Sequence, residues 1–392
     1  MSSPESSSDR EFRDELRAWL ARHPPPGFDV ATTEEEARAL RAWQRTLHSG
    51  RFVGVHWPVE HGGRGASASQ VAIYNQELAH AGAPPIIGRV GVTLVGPTLI
   101  THGTDEQRRR FMPRILDGAD VWCQLFSEPG AGSDLAALST RAERRADAYV
   151  VNGQKVWSSH ATFADMGIAL VRTDPAAHRH KGISMLAIPM DAPGVDVRPL
   201  RQITGDRDFD EVFLDDVEVP VDNLIGGESQ GWQVAATTLA NERGAAFIWR
   251  EQVLLEAATS RLWAACARES RLCDPVVRQR LARSRIDVEI FRLHNERTLA
   301  RLARGDDIGP EASIVKLFWA GASQRLYETA LAVLGPGALL DPSDGVGPDA
   351  GGEWIHGLLA TRANTIMGGT SEIQRTILAE RVLGLPREMT AK

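Results

Sequence analysis

The sequence predicts an α+β chain in three parts: an N-terminal helical domain over 1–120, a middle antiparallel β domain over 121–231 and a C-terminal four-helix bundle over 232–392. Two patterns carry this division. In the first and last parts apolar residues recur at three- and four-residue steps, whereas between them short β-branched runs are broken by turn residues. A third observation is size, since 392 residues at 43% hydrophobic suffice for several domains with a large shared core.

In the first part Phe12, Leu16, Trp19 and Leu20 keep helical spacing, and Thr32 and Thr33 followed by Glu35 and Glu36 form a capping signature ahead of 37–47. The interruption at 54–69 contains Trp57-Pro58 and the run Glu60-His61-Gly62-Gly63-Arg64-Gly65, which periodic structure does not accommodate. In the second part strands are expected at 166–172, 182–190, 195–200 and 209–219. Asn152-Gly153, between 148–151 and 154–157, is read as a hairpin turn. The third part carries helical patterns over 233–268, 275–304, 310–334 and 352–383, which suit a bundle.

Charge and cysteine content narrow the function. A net charge of -7 offers no basic surface for neutralising phosphates, so no nucleic-acid partner is expected. The three cysteines, Cys123, Cys266 and Cys273, lack disulfide or metal-ligand spacing, which points to a reducing cytoplasm and no metal. His178 and His180 sit in a polar turn and read as solvated. No run of 18 apolar residues is present, and the first residues are polar without an apolar stretch, so neither membrane nor signal peptide is expected.

Chemistry concentrates in three short segments. The loop Ser127-Glu128-Pro129-Gly130-Ala131-Gly132-Ser133-Asp134 offers hydroxyls, amides and side-chain-free backbone, which suit a flat polar heterocycle. Lys155-Val156-Trp157-Ser158-Ser159 places a large rigid indole and a hydroxyl on one strand. Ile366-Met367-Gly368-Gly369-Thr370-Ser371-Glu372-Ile373-Gln374-Arg375 sets glycines before a Thr-Ser helix start, where free amides favour an anion.

Taken together these segments resemble the signatures of the acyl-CoA dehydrogenase family, and the resemblance runs over nearly the whole chain. The first matches that family's Thr/Ser-Glu-Pro-x-Ala-Gly-Ser/Thr-Asp loop, the second its Lys-x-Trp-x-Thr/Ser segment and the third its C-terminal signature. The resemblance implies FAD as cofactor. It also implies that Ser127 bonds the flavin pyrimidine edge, and that Gly132 and Ser133 approach the cofactor or the CoA arm. Trp157 then packs on a flavin face and Ser159 bonds near N5. Gly369, Thr370 and Glu372 belong to the diphosphate and adenosine site. Leu334-Gly335-Pro336-Gly337 is similar to a further FAD-bordering turn through Gly335 and Gly337, with Pro336 in place of a second glycine. The family's Arg-x-x-Phe-Gly run is absent around Arg271, so neither Arg271 nor Arg268 is assigned to the diphosphate.

Oxidation of a thioester at the α,β bond needs a base for the α-proton, and a carboxylate serves when burial raises its pKa from about 4.3 toward neutrality. Many family members place this glutamate just before the Gly-Thr pair of the C-terminal signature, where this sequence has Gly368. Branched-chain and long-chain members place it on a C-terminal-domain helix before an arginine. Leu239-Ala240-Asn241-Glu242-Arg243 matches that arrangement, which makes Glu242 the expected base and Arg243 its substrate-binding neighbour. An ordinary surface pair such as Glu296-Arg297 is the plain alternative for Glu242-Arg243.

The resulting expectation is an acyl-CoA dehydrogenase that passes electrons to an electron-transferring flavoprotein, as a homodimer, a homotetramer or part of a mixed tetramer. Gly368 and Gly244-Ala245-Ala246 suggest room for a branched or ring-bearing acyl group. The competing readings are a flavin monooxygenase or oxidase on the same fold, and a subunit that depends on a second chain.

Overall fold

The computed structural model describes residues 5–28, 30–242, 245–306, 308–339 and 352–387, with the side chains of 242 and 245–247 outside the description. Helices α1 (Ser7–Arg22), α2 (Glu34–Ser49), α3 (Ala68–His80), α4 (Gly96–His102) and α5 (Asp105–Asp117) come first. Strands β1 (Trp122–Leu125), β2 (Arg141–Arg145), β3 (Ala148–Ser159) and β4 (Met166–Arg172) follow, then β5 (Ile183–Pro189), β6 (Val195–Leu200), β7 (Phe209–Pro220) and β8 (Leu224–Ile225). The remainder is helical: α6 (Gly231–Glu242), α7 (Ala245–Arg268), α8 (Pro275–Leu302), α9 (Ala312–Leu334), α10 (Gly352–Ala360) and α11 (Ser371–Ile377). The chain is therefore α+β, with helices before and after a sheet.

Packing groups these elements into two compact units that do not follow chain order. One comprises Asp14–Ser67 with Ala81–Arg243, and the other Met1–Arg13, Ala68–His80 and Gly244–Lys392.

In the first unit α2 starts as its sequence requires, because Thr33 accepts from the Glu36 amide while the Glu36 side chain returns to the Thr33 amide. Arg41 then ties α2 to the sheet region, reaching the Asp165 carboxylate at 2.9 Å and the Phe163 carbonyl at 2.9 Å. From α5, Gln107 donates to the carbonyls of Asp222 and Leu224 at 2.8 and 2.7 Å. The glycine-rich 54–67 segment closes over buried Trp57, whose Nε1 donates to the Val92 carbonyl at 3.0 Å. The eight strands run in the order β6-β7-β3-β2-β4-β5-β8, with β1 also on β4. Their core includes Tyr149, Val151, Val171, Leu186, Ile188 and Val212.

Two expectations for this sheet are corrected. It is mixed, because β1 enters from α5 and runs parallel to β4, and β2 also meets β4 in parallel at Arg141 and Arg172. Asn152-Gly153 is not a hairpin turn but lies inside β3, where the register on β7 shifts. The reason is steric: a Cβ at Gly153 would lie 2.4 Å from Thr140 Oγ1 and 2.7 Å from its Cα, so the glycine serves close approach. The β2–β3 turn falls instead at Ala146-Asp147, where Ala146 takes φ 51°.

The second unit is a helical assembly whose core contains Trp249, Leu262, Leu281, Phe291, Trp319 and Trp354. A buried amide bond pins α8 to α7, with Asn295 Nδ2 donating to Gln252 Oε1 at 2.9 Å. The pattern at 352–383, read as one helix, is interrupted. After α10 and a 3-10 turn at Thr361–Thr365, positive φ at Gly368 and Gly369 reverses the chain before α11. The pattern at 233–268 likewise divides into α6 and α7, with Arg243 and Gly244 between them outside the described residues.

Candidate active site

In the first unit, strand β3 shows how the sequence builds a binding face. Lys155 lies opposite Val212 and Ser158 opposite Asp210, so β3 carries one extra residue against β7 and bulges. The bulge places Trp157 at φ 61°, a left-handed backbone that costs a residue with a Cβ on the order of 1–2 kcal/mol. In return the indole is turned outward, 60% exposed, and meets the Phe209 ring edge-on with ring centroids 6.0 Å apart. Ser158 points inward and its buried hydroxyl has no partner, while Ser159 is half-buried beside Phe209. Behind the strand end, buried Asp210 accepts from the Thr162 amide at 3.0 Å and its hydroxyl at 2.7 Å, fixing the turn that follows.

The 127–134 loop is joined directly to this strand, because the Val156 amide donates to the Ser127 carbonyl at 3.0 Å. Glu128 and Ala131 exchange backbone bonds of 3.1 and 3.0 Å around Pro129-Gly130, which closes the turn. A Cβ at Gly130 or Gly132 would meet nothing within 4 Å, and Gly132, Ser133 and Asp134 are exposed. The Asp134 carboxylate takes Arg179 at 2.5 Å, and Arg172 reaches the Ala136 carbonyl at 2.9 Å, so the loop is held at its far end too.

Its central anchor is Glu128, whose carboxylate accepts from the Ser139 amide at 2.6 Å, the Ser139 hydroxyl at 2.8 Å and the Thr140 amide at 2.9 Å. Lys155 Nζ completes the set at 2.8 Å and also donates to the Leu170 and Phe126 carbonyls at 2.7 and 3.2 Å. Burial alone would push the Glu128 carboxyl up, but the adjacent ammonium and the donors around it win and hold it at about 2. Burial pulls the Lys155 ammonium down to about 8 against the pull of that carboxylate. Both groups are therefore charged at neutral pH. The motifs name both residues, Glu128 in the loop and Lys155 on the strand, but give no sign of their contact.

Glu242 closes α6, and its side chain and Arg243 lie outside the described residues. The helix itself is well fixed: Thr98 and Thr238 hydroxyls meet at 2.8 Å in a buried contact, and His102 Nε2 meets Thr237 Oγ1 at 2.8 Å. Spacing alone gave no sign of these α4–α6 contacts, since the partners lie more than a hundred residues apart.

The remaining expected residues belong to the second unit. Gly335 caps α9 with φ 71°, and a Cβ at Gly335 or Gly337 would meet nothing within 4 Å. Gly369, at φ 91°, accepts Lys316 Nζ on its carbonyl at 2.8 Å, and Gln374 Nε2 reaches the Gly368 carbonyl at 2.9 Å. Thr370 caps α11 by accepting from the Ile373 amide at 3.3 Å, and Glu372 is in its first turn. Helix α11 runs on without a break into a π-helical turn at Leu378–Val382. Lys316 lies near the start of α9 and Gly335 at its end, roughly 28 Å apart at about 1.5 Å per residue. The structure thus separates the 335–337 turn from the 369–372 turn within this unit.

An exposed indole on a strained bulge, beside the open glycine backbone of the 127–134 loop, offers a flat seat that fits the isoalloxazine of FAD. The class is that of a flavin-dependent oxidoreductase. The families described as acyl-CoA dehydrogenase N-terminal, middle and C-terminal domains match residues 6–119, 123–217 and 229–383, and the chain belongs to the acyl-CoA dehydrogenase family. FAD is the cofactor of this family and of this chain. Acyl-CoA dehydrogenase IpdE1 of Mycobacterium tuberculosis (strain ATCC 25618 / H37Rv) is 41% identical over 388 residues, 96% of this chain and 98% of that protein. A solved structure described as the Tcur3481-Tcur3483 steroid ACAD has TM-score 0.84 at 32% identity, covering 99% of this chain and 100% of its own. The ChsE4-ChsE5 complex from Mycobacterium tuberculosis has TM-score 0.81 at 33% identity, over 99% and 100% of the two chains. Among the described residues no helix is long and apolar enough to cross a membrane.

Proposed function

We propose that this acyl-CoA dehydrogenase oxidises the α,β bond of a bulky, ring-bearing acyl-CoA, with Glu242 as the base. The observation that carries the assignment is the backbone at Gly368, whose φ of 62° is a conformation in which a glutamate is strained. The C-terminal turn is thus suited to glycine, and the carboxylate comes from α6, which Thr98 and His102 anchor four and five residues before Glu242.

When bound, FAD supplies the acceptor for the hydride that leaves the β-carbon. Glu242 takes the α-proton, and the electron pair of that C–H bond becomes the new double bond. Ser127, Gly132, Ser133, Trp157 and Ser159 orient the flavin, Gly369, Thr370 and Glu372 hold its diphosphate and adenosine end, and the separate turn with Gly335 and Gly337 borders the cofactor elsewhere along its length. Ser133 and Arg243 meet the substrate. An electron-transferring flavoprotein reoxidises the enzyme. The ring-bearing acyl group is inferred by likeness to the steroid ACAD, and assembly with a second chain by likeness to the ChsE4-ChsE5 complex.

The test is anaerobic flavin bleaching with straight-chain, branched and steroid-ring acyl-CoAs. Fastest bleaching by the ring-bearing thioesters is expected, and turnover confined to short straight chains overturns the substrate assignment. Rapid productive reaction of the reduced enzyme with oxygen would favour an oxidase instead.

A further inference from the structure

Lys155 has no exposed side-chain surface and Glu128 only 4%, so the fold holds a charged pair where an apolar pair of similar volume would be easier to bury. What the charges provide is connectivity. Through them β3 is bonded to the Phe126 and Leu170 carbonyls, and the 127–134 loop to the Ser139 and Thr140 amides. An apolar pair leaves all four of these backbone groups without that partner. On one side of the pair the Val156 amide donates to the Ser127 carbonyl, and two residues beyond Lys155 the backbone turns left-handed to expose Trp157.

We propose that Glu128 and Lys155 are positioning residues for FAD: their buried pair fixes the loop against the bulged strand and so keeps Trp157 and Ser159 turned toward the flavin. This rests on the reading that the loop and strand hold FAD. Neither side chain touches the cofactor in this role. They act through the Ser127 carbonyl and the Trp157 bulge, and the bulge survives only where its surroundings over-determine it.

FAD release from diluted holoenzyme, followed by flavin fluorescence and by the shape of the visible absorption bands, tests this. Glu128→Gln and Lys155→Met are each expected to weaken FAD binding by roughly ten- to a hundredfold and to alter the bands, while Lys155→Arg restores part of the affinity. The control is Glu77→Gln, which removes a buried carboxylate paired with Arg13 in the other unit. It should lower the melting temperature and leave FAD affinity and spectrum unchanged. If a single variant does not fold, Glu128→Gln/Lys155→Met, which strands no charge, carries the comparison. Wild-type affinity and spectrum in the folded pair variants, or equal loss of FAD in the control, overturns the proposal. Trp157→Ala and Ser159→Ala separate the two layers. If these also retain wild-type FAD affinity, the cofactor site itself is misplaced; if they lose it and the pair variants do not, only the positioning role fails.

Discussion

The Lys155 ammonium donates to the Glu128 carboxylate at 2.8 Å with both side chains buried, and between them they bond to the loop, to residues 139–140 and to β4. Removing one partner leaves the other charge buried and alone. Lys155→Met should therefore destabilise the protein by about 3–5 kcal/mol, and the double replacement Glu128→Gln/Lys155→Met by less than the sum of the singles. Urea unfolding of the four proteins measures this, and strict additivity would contradict the coupling.

The same carboxylate sets an acid limit. Its folded value of about 2 lies below the ordinary 4.5, so its stabilising contribution is complete above about 4.5 and fades as pH falls toward 2. The stability gap between wild type and Glu128→Gln should therefore shrink as pH falls through this window. Denaturant midpoints at a series of pH values check it, and a constant gap would count against a charged Glu128.

Trp157 combines a left-handed backbone with an exposed ring. Trp157→Gly removes the strain, so the FAD-free protein should be unharmed or gain about 1 kcal/mol, while FAD affinity falls because the flavin loses its apolar platform. Calorimetry of the apoprotein and FAD titration read the two effects separately. A large loss of apoprotein stability would mean the indole is structural.

Gly153 lies too close to Thr140 for any side chain. Gly153→Ala should cost about 1–3 kcal/mol through overpacking between β3 and the segment before β2. A thermal melt tests it, and an unchanged melting temperature would show that β3 yields more easily than its packing implies.

Much of the architecture was legible because periodicity is a local signal. The capped start of α2 at Thr33 and strands β4, β6 and β7 fall where capping residues and β-branched runs placed them. Asn152-Gly153 misled because the same dipeptide serves a hairpin turn or a close approach inside a strand, and only Thr140 on the neighbouring segment decides between them. The bulge at Trp157 was equally hidden, since it depends on the register of β3 against Asp210 and Val212, more than fifty residues away. For the site, the motifs named the residues that face outward. The buried layer beneath them, Glu128 with Lys155 and Thr98 with Thr238, depends on contacts that spacing does not encode.

The assignment of Glu242 as the base meets its most direct test in α-proton exchange. Holoenzyme is incubated anaerobically in D2O with an acyl-CoA that bleaches its flavin, and deuterium entering the α-carbon of recovered thioester is followed by mass spectrometry. Wild type should exchange the α-hydrogen, and Glu242→Gln, still carrying FAD, should do so slower by a factor on the order of 10²–10⁴. Exchange at the wild-type rate in that variant would contradict the account.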